Sequence, residues 1–328
     1  MNEKKIIGVD LGGTSIKFAV VTQTGQVIDQ WNMLTDVSDQ GSRITPSIIE
    51  AINSYMQANG YGPDDFIGIG MGTPGTVDRE RGTVIGAFNL NWKTEQPLRE
   101  LIEAGTGIPF YLDNDANVAA LGEQWVGAGN NEPDVVFVTL GTGVGGGVIM
   151  NGQLLHGAVG AAGEIGHMTV DRNGYLCTCG NVGCLETVAS ATGIVRVAMD
   201  DAESFEQATP LRDRILAKEA VDTKVVMDMA KEGDAYALYV VNKISEHLGY
   251  AAGNIGNILN PSTIVIGGGV SKAGEFLVDY IRKHFDVYAF PTVRTSTKIR
   301  LAQLGNDAGV IGASSLVLNE SLQERFSK

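Results

Sequence analysis

The sequence predicts an α/β protein of two lobes. Short apolar runs ending at glycines alternate with segments whose apolar residues recur at helical spacing, the pattern of strands interleaved with helices. A strand–glycine–strand layout at residues 5–21 recurs at residues 135–150, too far apart for a short-period solenoid and therefore a mark of duplicated domains. The length, 328 residues, favours two domains over one.

Each element has its own local reason. Residues 5–10 are apolar up to Asp10, the chain turns at Leu11-Gly12-Gly13-Thr14, and Ile16 to Val21 returns, which reads as a hairpin. Val135 to Leu140, Gly141-Thr142-Gly143 and Gly145 to Met150 repeat it, with Val9-Asp10-Leu11-Gly12 aligning on Val138-Thr139-Leu140-Gly141. Ile44, Ile48, Ile49, Ile52 and Met56 fall on one helical face, starting near Thr45-Pro46. Phe66 to Met71 is a strand ending at Gly72-Thr73-Pro74-Gly75. Ile108 to Leu112 is strand-like, and Ala116 to Trp125 is helical, closed by Gly127. Ile244 to Leu259 is helical, with Gly249, Gly253 and Gly256 on nearly one face where another element can approach. Thr263 to Ile266 is a strand running into Gly267-Gly268-Gly269, and the small apolar stretch Gly309 to Leu318 predicts a helix packed back on the first domain. The expected division is residues 1–112 with about 307–328 as the smaller lobe, and 113–306 as the larger.

Hydrophobic residues make up 44% and charged residues 19%, a globular mix. The net charge of −14, with no basic stripe, disfavours nucleic acid as a partner. No apolar run approaches the ~18 residues of a membrane span, and the charged amino terminus is too short for a signal-peptide core, so a cytoplasmic location is expected. Glycine is in excess, 43 residues against an average share of ~7%, which points to tight turns and close backbone approach.

Two constellations carry chemistry. All three cysteines, Cys177, Cys179 and Cys184, fall within eight positions, and His167 lies ten residues upstream of the first. Three thiolates and one imidazole complete a tetrahedral Zn²⁺ set with no open position, which is structural and not catalytic. A disulfide with one spare thiol is the alternative, weakened by the odd cysteine count. The second constellation is the three glycine turns, Asp10-Leu-Gly-Gly-Thr14, Leu140-Gly-Thr-Gly143 and Gly267-Gly-Gly269, each after an apolar strand. Their backbone N–H groups and hydroxyls suit phosphate oxygens: Gly12, Gly13, Thr14, Thr142 and Gly143 on the hairpins, Gly268 and Gly269 toward a nucleoside. Asp10 at a strand end is placed to attract Mg²⁺ through water. Lys17 is either a surface lysine or a phosphate ligand. Neither a P-loop nor a dinucleotide fingerprint is present.

This set resembles the phosphate-binding apparatus of the sugar kinase, actin and heat-shock ATPase superfamily. Leu140-Gly-Thr-Gly-Val-Gly-Gly-Gly147, Gly160 to His167, and Cys177-Thr-Cys-Gly-Asn-Val-Gly-Cys-Leu-Glu186 are similar to the signature and zinc–sugar motifs of the ROK family (repressors, open reading frames, kinases). The resemblance spans nearly the whole chain. It implies an actin-like, ribonuclease-H-like fold of duplicated domains around a cleft. The family's repressors carry a helix-turn-helix domain ahead of the first strand, which here begins by about residue 5, so a kinase is expected.

The resemblance also implies roles. Asp115, in the Asn-Asp motif, matches the general base that accepts the proton of a sugar 6-hydroxyl attacking the γ-phosphate of ATP. Its bland alternative is a helix cap. Asn114, Glu164, His167 and Glu186 match sugar-hydroxyl ligands, with His167 linking zinc geometry to substrate geometry through its second nitrogen. Asn89 and Gly75 match sugar-contacting positions or are structural, and Trp92 reads as packing. Glucose is the expected hexose, with fructose, mannose or an N-acetylhexosamine as alternatives. Polyphosphate as donor, or a sugar-responsive regulator, ranks lower. A homodimer or homotetramer is implied. His156, His247 and His284 carry no assigned role.

Overall fold

The structure, a computed structural model, describes residues 3–326 and divides them into two compact units. Unit 1 comprises residues up to Asn131, Gln153–Ala162 and the segment from Asn306 onward; unit 2 comprises Glu132–Gly152 and Gly163–Gly305.

In unit 1, β1 (Lys5–Leu11), β2 (Ser15–Val21) and β3 (Val27–Leu34) form an antiparallel meander, and β4 (Phe66–Thr73) and β7 (Phe110–Asn114) extend it in parallel in the order β3-β2-β1-β4-β7. A small hairpin, β5 (Thr76–Asp78) with β6 (Thr83–Ile85), rises after β4. Helix α1 (Ile44–Asn59) buries Ile44, Ile48, Ile52 and Met56, the face its spacing predicts, and ends at Gly60 in the left-handed conformation. Helices α2 (Leu98–Thr106) and α3 (Asp115–Val126) flank β7 in sequence. Trp92 is buried in this core, and its indole N–H donates to the Gly41 carbonyl at 3.2 Å, so it packs as expected.

The expected boundary after residue 112 moves to Asn131, because α3 belongs to unit 1. The reason is the final helix, α11 (Ala308–Phe326), which packs on α3, β1 and β4. The contact is backbone against backbone. A Cβ on Gly70 of β4 would lie 1.8 Å from the Ala313 carbonyl, and one on Gly312 would lie 1.6 Å from that of Val118. Much of the glycine excess therefore serves close packing as well as turns.

In unit 2, β8 (Val135–Leu140) pairs antiparallel with β9 (Val144–Met150) and parallel with β11 (Thr263–Gly267), which pairs parallel with β12 (Lys298–Leu301). The two-residue β10 (Gln153–Leu154) lies between β9 and β11 in the chain. The order β9-β8-β11-β12 repeats β2-β1-β4-β7 strand for strand and sense for sense. Around it lie α4 (Glu186–Ala189), α5 (Ala191–Asp201), α6 (Pro210–Leu216), α7 (Thr223–Lys231), α8 (Ala235–Leu259), α9 (Glu275–Tyr288) and α10 (Pro291–Ser296). Helix α8 starts earlier than its apolar spacing indicates, capped by the Asp234 carboxylate on the Ala237 N–H. Gly249 and Gly253 lie against His284 and Tyr288 of α9, the close approach that their spacing predicts.

Candidate active site

Strand β7 runs through Asn114, and α3 begins at Asp115. The Asn114 side-chain carbonyl accepts the Ala116 N–H at 2.9 Å, so Asn114 caps the helix. Asp115 is exposed at the first helical position, and its own carboxylate also accepts the Ala116 N–H. The residue before them, Asp113, is buried and takes the Asn114 N–H and the Asn117 side-chain N–H on one oxygen, both at 2.8 Å. No motif marks Asp113; only its adjacency to Asn114-Asp115 hints at it.

The first glycine turn lies in the same unit. Gly12 donates its N–H to Ser15, and the Thr35 hydroxyl donates to the Gly12 carbonyl at 2.7 Å, which pins the turn. Asn89 is exposed and lies against Gly13, 3.3 Å from where a Cβ would stand. Gly75, with φ of +97°, sits at the base of the β5–β6 hairpin, where a Cβ would meet the Ile85 carbonyl at 2.9 Å. The positive φ and the close approach require glycine there.

Asp10 faces Lys17 across the β1–β2 register, and the Lys17 ammonium donates to the Asn306 carbonyl. Burial pushes the Asp10 carboxyl up to about 6; Lys17 opposes the shift, and the charges of Asp115 and Asp307 reinforce it. Gly309 of α11 leaves room for that carboxylate, since a Cβ there would lie 2.7 Å from it. Three carboxylates with one ammonium suit a hydrated cation such as Mg²⁺.

In unit 2 the second glycine turn closes through the Gly141 N–H on the Gly143 carbonyl, and the Ala191 N–H at the start of α5 donates to the Gly141 carbonyl. Glu186 bears directly on this turn. Its carboxylate accepts the Val144 N–H at 3.0 Å and occupies the place a Gly143 Cβ would take, 2.4 Å away. Gly268, with φ of +84°, packs on the Leu140 carbonyl, and Gly269 beside it lines a cavity of about 550 Å³ with Gly141 and Thr142. Helix α7 forms the other wall with Lys224, Met227 and Asp228. These α7 residues carry no sequence signal beyond helical periodicity; the cavity reveals them.

The Cys177, Cys179, Cys184 and His167 ligand atoms lie within 4.8 Å of one another. His167 Nδ1 is 3.6 Å from Cys177 Sγ, and Cys179 Sγ is 3.6 Å from Cys184 Sγ. A tetrahedron with Zn–S bonds of ~2.3 Å has S···S edges of about 3.7 Å, so the spacing fits zinc. Burial pushes the Cys184 thiol up to about 12, whereas the Asn181 N–H draws Cys179 down. The second imidazole nitrogen of His167 points away from the sulfurs, 3.9 Å from Glu164. Among the described residues no helix is long and apolar enough to cross a membrane.

The profile of the ROK family matches residues 6–320. The chain belongs to the ROK family. A glucokinase of Halalkalibacterium halodurans is 46% identical over 319 residues, 97% of this chain and 96% of that protein. Among solved structures, a ROK hexokinase from Thermus thermophilus matches with a TM-score of 0.82 and 30% identity over 97% of this chain and 99% of that one. A ROK glucokinase from Streptomyces griseus, in complex with glucose and AMPPNP, matches with a TM-score of 0.72 and 33% identity over 96% and 99%. The mixed sheets and their duplicated order are those of the two-lobed, actin-like ATPase fold of ROK sugar kinases.

Proposed function

We propose that the protein phosphorylates glucose at the 6-hydroxyl with ATP. The observation that carries this reading is the Asn114-Asp115 pair at the start of α3, in a chain similar over nearly its whole length to glucokinases. The glucose 6-oxygen forms a bond to the γ-phosphorus, the bond to the β-bridging oxygen breaks, and ADP leaves. Asp115 takes the hydroxyl proton. A carboxylate stabilised at a helix start is a weak base, which suffices because the oxygen loses little proton before a loose transition state. Asn114, Glu164, His167, Glu186 and the Asn89 and Gly75 positions bind the sugar. Gly12, Gly13, Thr14, Lys17, Thr142, Gly143, Gly268 and Gly269 bind ATP, and Ala191, Met227, Val270 and Ala273 in the cavity give its base an apolar surface. Asp10 would hold a hydrated Mg²⁺, which when bound would supply charge neutralisation on the phosphates.

His167, Cys177, Cys179 and Cys184 would hold a structural Zn²⁺. With one imidazole nitrogen on the metal, the other nitrogen of His167 would be left for a sugar hydroxyl. The reading extends, on family resemblance alone, to a cytoplasmic homodimer or homotetramer. An ADP-coupled assay with Mg·ATP and a panel of hexoses tests the activity. The highest kcat/KM is expected on glucose. Failure to turn over any hexose overturns the kinase, and a preference for fructose, mannose or an N-acetylhexosamine overturns the substrate.

A further inference from the structure

The segment Gln153–Ala162 belongs to unit 1, and its one titratable side chain, His156, is turned inward with 18% of the side chain exposed. Its Nε2 lies 2.6 Å from Asp113 Oδ2, and its Nδ1 lies 2.9 Å from Arg79 Nη1. Arg79 Nε lies 3.4 Å from the same Asp113 oxygen, so the three groups close a triangle. A guanidinium only donates, so Nδ1 accepts and is bare, and Nε2 carries the proton and donates to Asp113. The two contacts thereby fix the ring in one orientation.

The triangle bears on the catalytic turn through Asp113, whose carboxylate is divided between two tasks. Oδ1 holds the Asn114 N–H and the Asn117 side chain; Oδ2 is held by His156 and Arg79. Asp113 is 2% exposed, and a buried carboxylate without partners is strongly unfavourable, so its position follows theirs. Both partners are themselves anchored. Arg99 donates to the Arg79, Glu80 and Phe110 carbonyls, tying the β5–β6 turn to β7. The Ala162 N–H closes the loop onto the His156 carbonyl at 3.0 Å.

We propose that His156 is a positioning residue for phosphoryl transfer, holding Asp113 and through it the aim of the Asn114-Asp115 turn. It touches neither substrate in this reading, which rests on Asp115 being the base. Misaiming a base by about an ångström lowers turnover by up to about 100-fold while leaving binding nearly intact. His156→Leu removes both hydrogen bonds; His156→Gln keeps a donor for Asp113. For His156→Leu the expected result is a kcat lower by about 10- to 100-fold, with KM for glucose and ATP within about threefold of wild type. His156→Gln recovers most of that loss. Wild-type kcat in His156→Leu, or a loss carried by KM with kcat intact, overturns the proposal. If His156→Leu does not fold, the Gln variant decides: near-wild-type kcat supports the role, and a loss as deep as that of Asp115→Ala overturns it. A ¹⁵N-histidine spectrum of the wild-type protein at pH 7 reads the ring directly. A neutral Nε2-protonated ring is expected, and an imidazolium or the Nδ1 tautomer overturns the geometry. Absence of kinase activity in the wild type refutes the proposed function, which that spectrum does not depend on.

Discussion

At the end of β1 the chain turns through Gly12-Gly13-Thr14, and at the end of β8 through Gly141-Thr142-Gly143, with neighbouring strands in the same order and sense. Their surroundings diverge. Where the first hairpin sets Asp10 opposite Lys17, the second sets Thr139 opposite Gly145. The first turn stands near three carboxylates and under the end of α11. The second has a neutral register, one carboxylate lodged against its last glycine, and a cavity of mixed apolar and charged lining beside it. Duplication preserved the backbone that presents N–H groups. The side chains around the two turns differ: charged in the first copy, neutral in the register of the second.

This contrast is open to attack. Its largest expected effect is Asp115→Ala in unit 1, which lowers kcat by about 100- to 10,000-fold while glucose still binds in calorimetry. Activity within about tenfold of wild type would place the proton chemistry elsewhere and break the contrast. Next comes the cluster of His167 and three cysteines in unit 2. Cys179→Ser, or chelation, is expected to lower the melting temperature by several degrees and raise KM for glucose more than it lowers kcat. Elemental analysis of fresh protein that finds no zinc sinks the metal assignment.

A matched pair of glycine substitutions sharpens the comparison. In Gly143→Ala the new methyl displaces the Glu186 carboxylate, costing its bond to the Val144 N–H. A severalfold rise in glucose KM is expected. In Gly13→Ala the methyl meets Asn89 at 3.3 Å, a side chain that can yield, so the rise is smaller. Equal effects in steady-state kinetics would mean the two turns are not furnished differently.

The last test concerns the stability contributed by Asp10 and leaves turnover aside. Its carboxyl titrates near 6 when folded against 3.8 ordinarily, so the folded state binds that proton more tightly than the unfolded state. The resulting stability is present below pH 3.8, is lost as pH rises toward 6, and above that the buried charge costs up to about 3 kcal/mol. Asp10→Asn is expected to raise stability to urea at pH 8 and to change it little near pH 4. No gain at pH 8 would show that the charge is already compensated.

Residue order alone determined a good deal: the hairpins, the helical face of α1, the close approach of Gly249 and Gly253 to α9, the duplicated layout, and the clustering of His167 with three cysteines. These depend on neighbours a few positions apart, where backbone periodicity and turn geometry transmit chemistry directly. Tertiary structure alone decided the rest. The boundary moved to Asn131 because α11 returns from the far end of the chain to pack on α3. Helix α7 became a cavity wall, and Glu186 came to rest on a turn 42 positions earlier. His156 reached Asp113 across 43 positions and Arg79 across 77. A histidine, an aspartate and an arginine that far apart leave no periodic trace, because nothing but the packing of the elements that carry them brings their side chains together.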